Sequence, residues 1–184
     1  MTPAADIFVQ IASYRDPELL PTLRDCLARA AQPERLSFGL CWQRDAQDSL
    51  EEFAQDPRFR VIEVPHQRGR GACWARQQTQ SLYRGEAYTL QLDSHHRFVD
   101  GWDQLCIDMI EGLRAQGHAK PILTSYVPVY EPANDPAGRL HPPLRLQFGH
   151  FRDDGPIAVV PMGMDEVETL VAPEPARFFS AHFA

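Results

Sequence analysis

The sequence predicts an α/β protein: a mostly parallel β-sheet with helices on both faces, followed by an antiparallel hairpin. Three observations carry this. First, β-prone apolar runs alternate with helical patterns through the first two-thirds of the 184 residues, the order that builds parallel sheets. Second, these runs leave by polar or glycine-rich stretches that lead into helical patterns. Third, the pattern breaks after Tyr126. Pro128, Pro132, Pro136, Pro142 and Pro143 crowd a long loop, and two further β-prone runs flank Asp153-Asp154-Gly155, as in a hairpin.

The elements follow in order. Asp6 to Ala12 is a first strand, mostly apolar and therefore central, and Ser13-Tyr14-Arg15-Asp16 is its polar exit loop. Asp16 has the features of a helix N-cap, with Pro17 at the first helical position and Glu18 in the first turn. That helix runs to about Ala31 on a buried stripe of Leu19, Leu23, Leu27 and Ala30, and Pro33 ends it. Leu36 to Trp42 is a second strand, with Gln43-Arg44-Asp45 as its exit. Ser49 to Gln55 reads as a short helix stopped by Pro57. Phe59 to Val64 reads as a third strand whose alternation leaves one face less buried. The loop His66 to Gly71 is rich in glycine and arginine. It leads into a helix from about Ala72 to Tyr83, closed by Gly85. Tyr88 to Leu92 is a fourth strand, short and β-prone. A helix from roughly Asp103 to Ala115 presents Leu105, Met109, Ile110 and Leu113 as its core face. Ile122 to Tyr126 reads as a further strand, and the hairpin joins Leu144–Phe151 to Ile157–Met162. Three phenylalanines in the last seven residues are an unusual ending in water, and point to a chain cut inside a strand or naturally shortened.

Composition narrows the function. Hydrophobic residues make up 43%, too many for a disordered chain. The net charge of -7 argues against a nucleic-acid surface, which needs clustered positive charge. Lys120 is the only lysine, so the cations are nearly all arginine, whose planar fork suits phosphate. Cys26, Cys41, Cys73 and Cys106 form no zinc-type spacing, and read as reduced, mostly buried thiols of a cytoplasmic protein. No apolar segment is long enough for a membrane span, and no secretory signal precedes the first strand.

The chemistry concentrates after the fourth strand, in Asp93-Ser94-His95-His96. Ligands of open α/β sheets bind outside the carboxyl ends of strands. In extended chain Asp93 and His95 share a side and His96 points away, so a carboxylate and an imidazole converge on one ion while His96 is structural. Taken alone, Asp93 is also a common turn cap and His95 a common hydrogen-bonded histidine. Two further segments align at strand ends. Ser13, Tyr14 and Arg15 can hold a base and ribose, with Gln43 beside them. Arg70 and Arg76, with a helix N-terminus at Gly71, can neutralise phosphate. Trp42, Trp74 and Trp102 read as packing aromatics. Tyr126 suits either packing or a sugar pocket.

Ordered blocks of the chain carry a resemblance: I-F-V-Q-I-A-S-Y-R-D (7–16), G-A-C-W-A-R (71–76), R-G-E-A-Y-T-L-Q-L-D-S-H-H-R-F (84–98), G-W-D (101–103) and K-P-I-L-T-S-Y (120–126). Together they resemble the GlcNAc-transferase family of GT-A glycosyltransferases. That family is typified by the cytoplasmic enzyme that adds N-acetylglucosamine to hydroxyproline of a polypeptide. In that family Asp-Ser-His stands where other GT-A enzymes have Asp-x-Asp. The resemblance covers roughly residues 6 to 130. It implies a GT-A-like, Rossmann-like fold, with 1–126 binding the nucleotide-sugar and 127–184 an incomplete acceptor side of one domain. It also implies a UDP-sugar donor, a polypeptide or glycan hydroxyl acceptor and retention of configuration. Mn²⁺ or Mg²⁺ would be held by Asp93 and His95, with imidazole favouring Mn²⁺. Two other functions stay open: a non-catalytic nucleotide-sugar-binding module, and a metal-dependent hydrolase or nucleotidyltransferase built on Asp93, His95 and His96.

Overall fold

Apolar, β-branched and aromatic side chains at the start of the chain form a buried central strand, β1 (Ile7–Tyr14). A computed structural model describes residues 6–130, 144–164 and 172–180, in two compact units, Met1–Leu105 and Cys106–Ala184. In the first unit β1 pairs in parallel with β2 (Leu36–Arg44) and with β4 (Tyr88–Leu92), and β2 pairs in parallel with β3 (Phe59–Pro65). The order is β3-β2-β1-β4. The chain therefore steps outward from β1 to β3 and returns to the other side of β1. The switch point lies between β1 and β4, where open α/β sheets place their ligands. Right-handed crossovers put α1 (Leu19–Arg29) and α2 (Ala72–Gln80) on opposite faces.

Register sorts the two faces. Val9 stands beside Phe38 and Leu90, and Ile11 beside Leu40 and Leu92, giving an apolar face; Leu19, Leu23 and Cys26 of α1 are buried as well. The opposite face is tighter and partly polar. A Cβ on Gly39 would lie 2.3 Å from Phe8 Cζ and 3.2 Å from the Thr79 carbonyl oxygen of α2, so only glycine lets this helix approach. The Arg60 guanidinium covers the Phe8 ring at 4.6 Å and pairs with the Glu86 carboxylate. Glu86 Oε1 also accepts the Ser37 hydroxyl at 2.9 Å, and Oε2 the Arg84 amide at 2.8 Å. Burial would raise this carboxyl, but the hydrogen bonds from Arg84, Arg60 and Ser37 outweigh it and hold it at about 2.

Several boundaries differ from the sequence expectation. Ser13 and Tyr14 belong to β1, and Gln43 and Arg44 to β2, because Ser13 pairs with Trp42 and Tyr14 with Gln43; the neighbouring strand extends the ladder into polar residues. α1 begins at Leu19, behind Arg15 at φ 49° and an N-cap at Glu18, and ends at Arg29 because Ala30 is extended. The segment 49–55 is one 3-10 turn, Glu51–Phe53, that packs Phe53 on Phe59 at 4.4 Å. α2 ends at Gln80, short of Gly85. α3 (Trp102–Ala115) buries its first turn instead of the expected stripe. The Trp102 indole N–H donates to the Cys26 carbonyl at 2.9 Å, and the Asp103 carboxylate accepts the Ala31 and Gln32 amides at 2.7 and 2.9 Å. Leu105 and Met109 are 49% and 38% exposed: helical period marks an apolar stripe without saying where along the helix it finds a partner.

In the second unit β5 (Leu144–Phe151) and β6 (Ile157–Gly163) form the expected antiparallel hairpin. Gly155 at φ 100° makes its turn. Ile122 to Tyr126 is not a strand; Tyr126 alone bridges Leu144, so the segment lacks a ladder to hold it extended. Thr124 instead exchanges hydrogen bonds with the Ser180 backbone at 3.0 and 2.8 Å. Most of the proline-rich loop and the last four residues lie outside the described residues. Among the described residues no helix is long and apolar enough to cross a membrane. All four cysteines are free; Cys26 and Cys41 are buried as expected, whereas Cys73 is exposed and Cys106 half-buried.

Candidate functional site

The loops leaving β1 and β4 meet at the switch point, and buried side chains fasten them. Thr22 of α1 is fully buried. Its hydroxyl donates to the Ser94 carbonyl at 2.9 Å and accepts the His96 amide at 2.9 Å. His96 is 5% exposed, and its Nδ1 lies 2.9 Å from the Asp93 carbonyl oxygen. These bonds hold Asp93 to His96 as a shaped turn and not as the extended chain expected, and the His95 and His96 rings lie nearly parallel, 6.2 Å between centroids, instead of pointing to opposite sides.

Asp16 joins the two loops directly. Its Oδ1 accepts the Glu18 amide at 2.9 Å, beginning the turn into α1. Its Oδ2 accepts the Ser94 hydroxyl at 2.6 Å and lies 2.8 Å from His95 Nδ1. Burial pushes the Asp16 carboxyl up, but the bonds from His95, Ser94 and the Glu18 amide prevail and leave it below the usual range. The His95 side chain is 55% exposed against 18% for Asp16, so the imidazole is open to solvent with one edge anchored. The sequence reads Asp16 as a helix cap; its contact with residues 78 and 79 positions away has no local signal.

Asp93 touches a third element. Its Oδ1 accepts the Arg76 guanidinium at 2.9 Å, so Arg76 on α2 is turned toward the strand ends. Gly71, at φ 86°, is the N-cap of α2, where backbone N–H groups favour anions. Arg70 beside it is exposed.

The ends of β1 and β2 hold the remaining expected residues. Ser13 Oγ and Gln43 Oε1 are buried with no hydrogen-bond partner among the described residues, an arrangement that ordinarily costs about 1–3 kcal/mol per group. Gln43 Nε2 donates to the Ser13 carbonyl at 3.2 Å. Tyr14 is 56% exposed and sets its ring edge-on to His66, 6.1 Å between centroids. Arg15 pairs with Asp45 at 2.8 Å, and the other oxygen of Asp45 lies 2.7 Å from His66 Nδ1. Asp45 and His66 were not singled out from the sequence, although each directly follows a strand. Tyr126 lies in the second unit, where it lines an open cavity of about 1320 Å³ with Thr124, Leu146 and Phe178.

Asp93 and His95 are oxygen and nitrogen donors suited to Mn²⁺ or Mg²⁺. Among the described residues no three His, Cys, Asp or Glu side chains group to hold an ion. A cation held by these two donors would have to take its other ligands from phosphate and water, as Mg²⁺ commonly does.

The model of a glycosyltransferase family, described as Glycosyltransferase (GlcNAc), matches the chain over residues 6–57 and 50–184. The chain belongs to the GlcNAc glycosyltransferase family. No curated protein and no solved structure matches it. Membership makes a glycosyltransferase of the chain, acting between a sugar donor and an acceptor.

Proposed function

We propose that this glycosyltransferase has a GT-A fold and transfers N-acetylglucosamine from UDP-GlcNAc to a hydroxyl of a polypeptide or glycan, with Mn²⁺ or Mg²⁺ bound at the site. The observation that carries the reading is the meeting of Asp93 and His95 with Arg76 and Asp16 at the switch point. Ser13, Tyr14, Arg15 and Gln43 would receive the nucleoside, Tyr14 and Arg15 with exposed side chains and Ser13 and Gln43 buried at the strand ends. Arg70, Arg76 and the N-terminus of α2 at Gly71 would hold the diphosphate. In the transfer the bond from the sugar's anomeric carbon to the UDP oxygen would break, the acceptor oxygen would take its place, and the acceptor's hydroxyl proton would pass to the departing UDP phosphate. Negative charge grows on the departing UDP, and the two arginines face it. The cation, held by Asp93 and His95, would add Lewis-acid stabilisation of that charge. The family resemblance carried by the sequence blocks makes a hydroxyproline peptide the first acceptor to try.

The test is UDP release from UDP-GlcNAc, with and without Mn²⁺. The wild-type chain is expected to release UDP in a Mn²⁺-dependent way. Asp93→Ala and His95→Ala should each lose about a hundredfold, the scale for removing one group that stabilises transition-state charge. Absence of binding to any UDP-sugar would sink the reading. Binding without turnover would make the chain a nucleotide-sugar-binding module instead.

A further inference from the structure

We propose that Asp16 is a positioning residue: it fixes His95 in the Nδ1–H tautomer and so offers an unprotonated Nε2 to the cation on the donor side. The proposal rests on the reading of His95 as a ligand given above. The geometry dictates the tautomer. Asp16 Oδ2 has no proton to give, and it already accepts the Ser94 hydroxyl at 2.6 Å. A ring nitrogen 2.8 Å from that oxygen is held there only as an N–H donor, since two lone pairs would repel. Nδ1 therefore carries a proton, and in the neutral ring Nε2 is the nitrogen that keeps its lone pair.

Asp16 is itself rigidly placed. Its other oxygen accepts the Glu18 amide at 2.9 Å, and the backbone before it turns through Arg15 at φ 49°. The opposite side is equally fixed, because Thr22 binds the Ser94 carbonyl and the His96 amide on either side of His95. The 55% exposure of His95 leaves the far edge of the ring open. A carboxylate behind a histidine in this way sets the orientation and basicity of a metal-ligating imidazole.

The experiment is nitrogen-15 NMR of the histidine rings in the metal-free chain, on wild type, Asp16→Asn and Ser94→Ala. It is followed by Mn²⁺ titration in the presence of UDP. Wild-type His95 is expected to show a protonated Nδ1 and a bare Nε2. Asp16→Asn should release the ring toward the Nε2–H form and weaken Mn²⁺ binding by about 10–100-fold. Ser94→Ala, which keeps the carboxylate and removes its second donor, should leave the ring protonated at Nδ1 and weaken Mn²⁺ binding less than Asp16→Asn. An Nε2–H ring in wild type, an unchanged ring in folded Asp16→Asn, or an equal loss in Ser94→Ala would each overturn the proposal. The wild-type spectrum decides the tautomer even if Asp16→Asn does not fold. A chain that binds neither Mn²⁺ nor UDP fails the donor reading, whereas a wrong tautomer in a chain that binds both fails this one.

Discussion

Replacing Glu86 by glutamine should cost the first unit roughly 3 kcal/mol at neutral pH. The substitution keeps the side chain's shape and removes its charge. Arg60, 9% exposed at its side chain, is then left as a buried cation without its anion, and breaking such a pair typically costs about 3–5 kcal/mol. The carboxyl's own titration gives a second route to the figure. Its pKa is about 2 in the folded chain against an ordinary 4.5, and at about 1.36 kcal/mol per pH unit the gap is roughly 3 kcal/mol. The sign follows from proton uptake. Between those two values the unfolded chain binds the proton and the folded chain does not, so the contribution is complete above the ordinary value and fades as pH falls toward 2. Urea denaturation followed by tryptophan fluorescence suits the measurement, because Trp42, Trp74 and Trp102 all lie in the first unit. Wild type and Glu86→Gln should differ by roughly 3 kcal/mol at pH 7 and converge near pH 2. A loss under about 1 kcal/mol, the scale of an exposed pair, would refute the reasoning, as would a loss that stays constant with pH.

Gly39→Val should lower stability by about 1–3 kcal/mol through overpacking, since its Cβ meets the fully buried Phe8 ring and the Thr79 backbone of α2; thermal denaturation reads this, and an unchanged midpoint would mean α2 does not press on the sheet here. Thr22→Val keeps the volume but strips the Ser94 carbonyl and His96 amide of their partner. It should cost about 1–3 kcal/mol and speed hydrogen exchange at the His96 amide. Slow exchange in a folded variant would show that the turn is held by other contacts.

The sequence by itself determined the strand order's raw material and the place of the chemistry. Tyr88–Leu92 has the same bounds as β4, and the β5–β6 hairpin stands where Asp153-Asp154-Gly155 puts it. Apolar runs of strand length, glycine positions and polar strand exits are local signals, and local signals survive in a single sequence. Tertiary structure decided what those signals cannot carry. Ser13, Tyr14, Gln43 and Arg44 became strand because neighbouring strands offered ladder partners. Ile122–Tyr126 lost its strand for want of them. Leu105 and Met109 stayed exposed because the first turn of α3, not its apolar stripe, found the α1 end. At the site, Asp93 was legible as a carboxylate after a strand, but its turn toward Arg76, and Asp16's hold on Ser94 and His95, depend on residues 17 to 79 positions apart. Only the folded sheet brings such residues within hydrogen-bond reach, because strand order sets which loops meet and side-chain geometry sets which atoms touch.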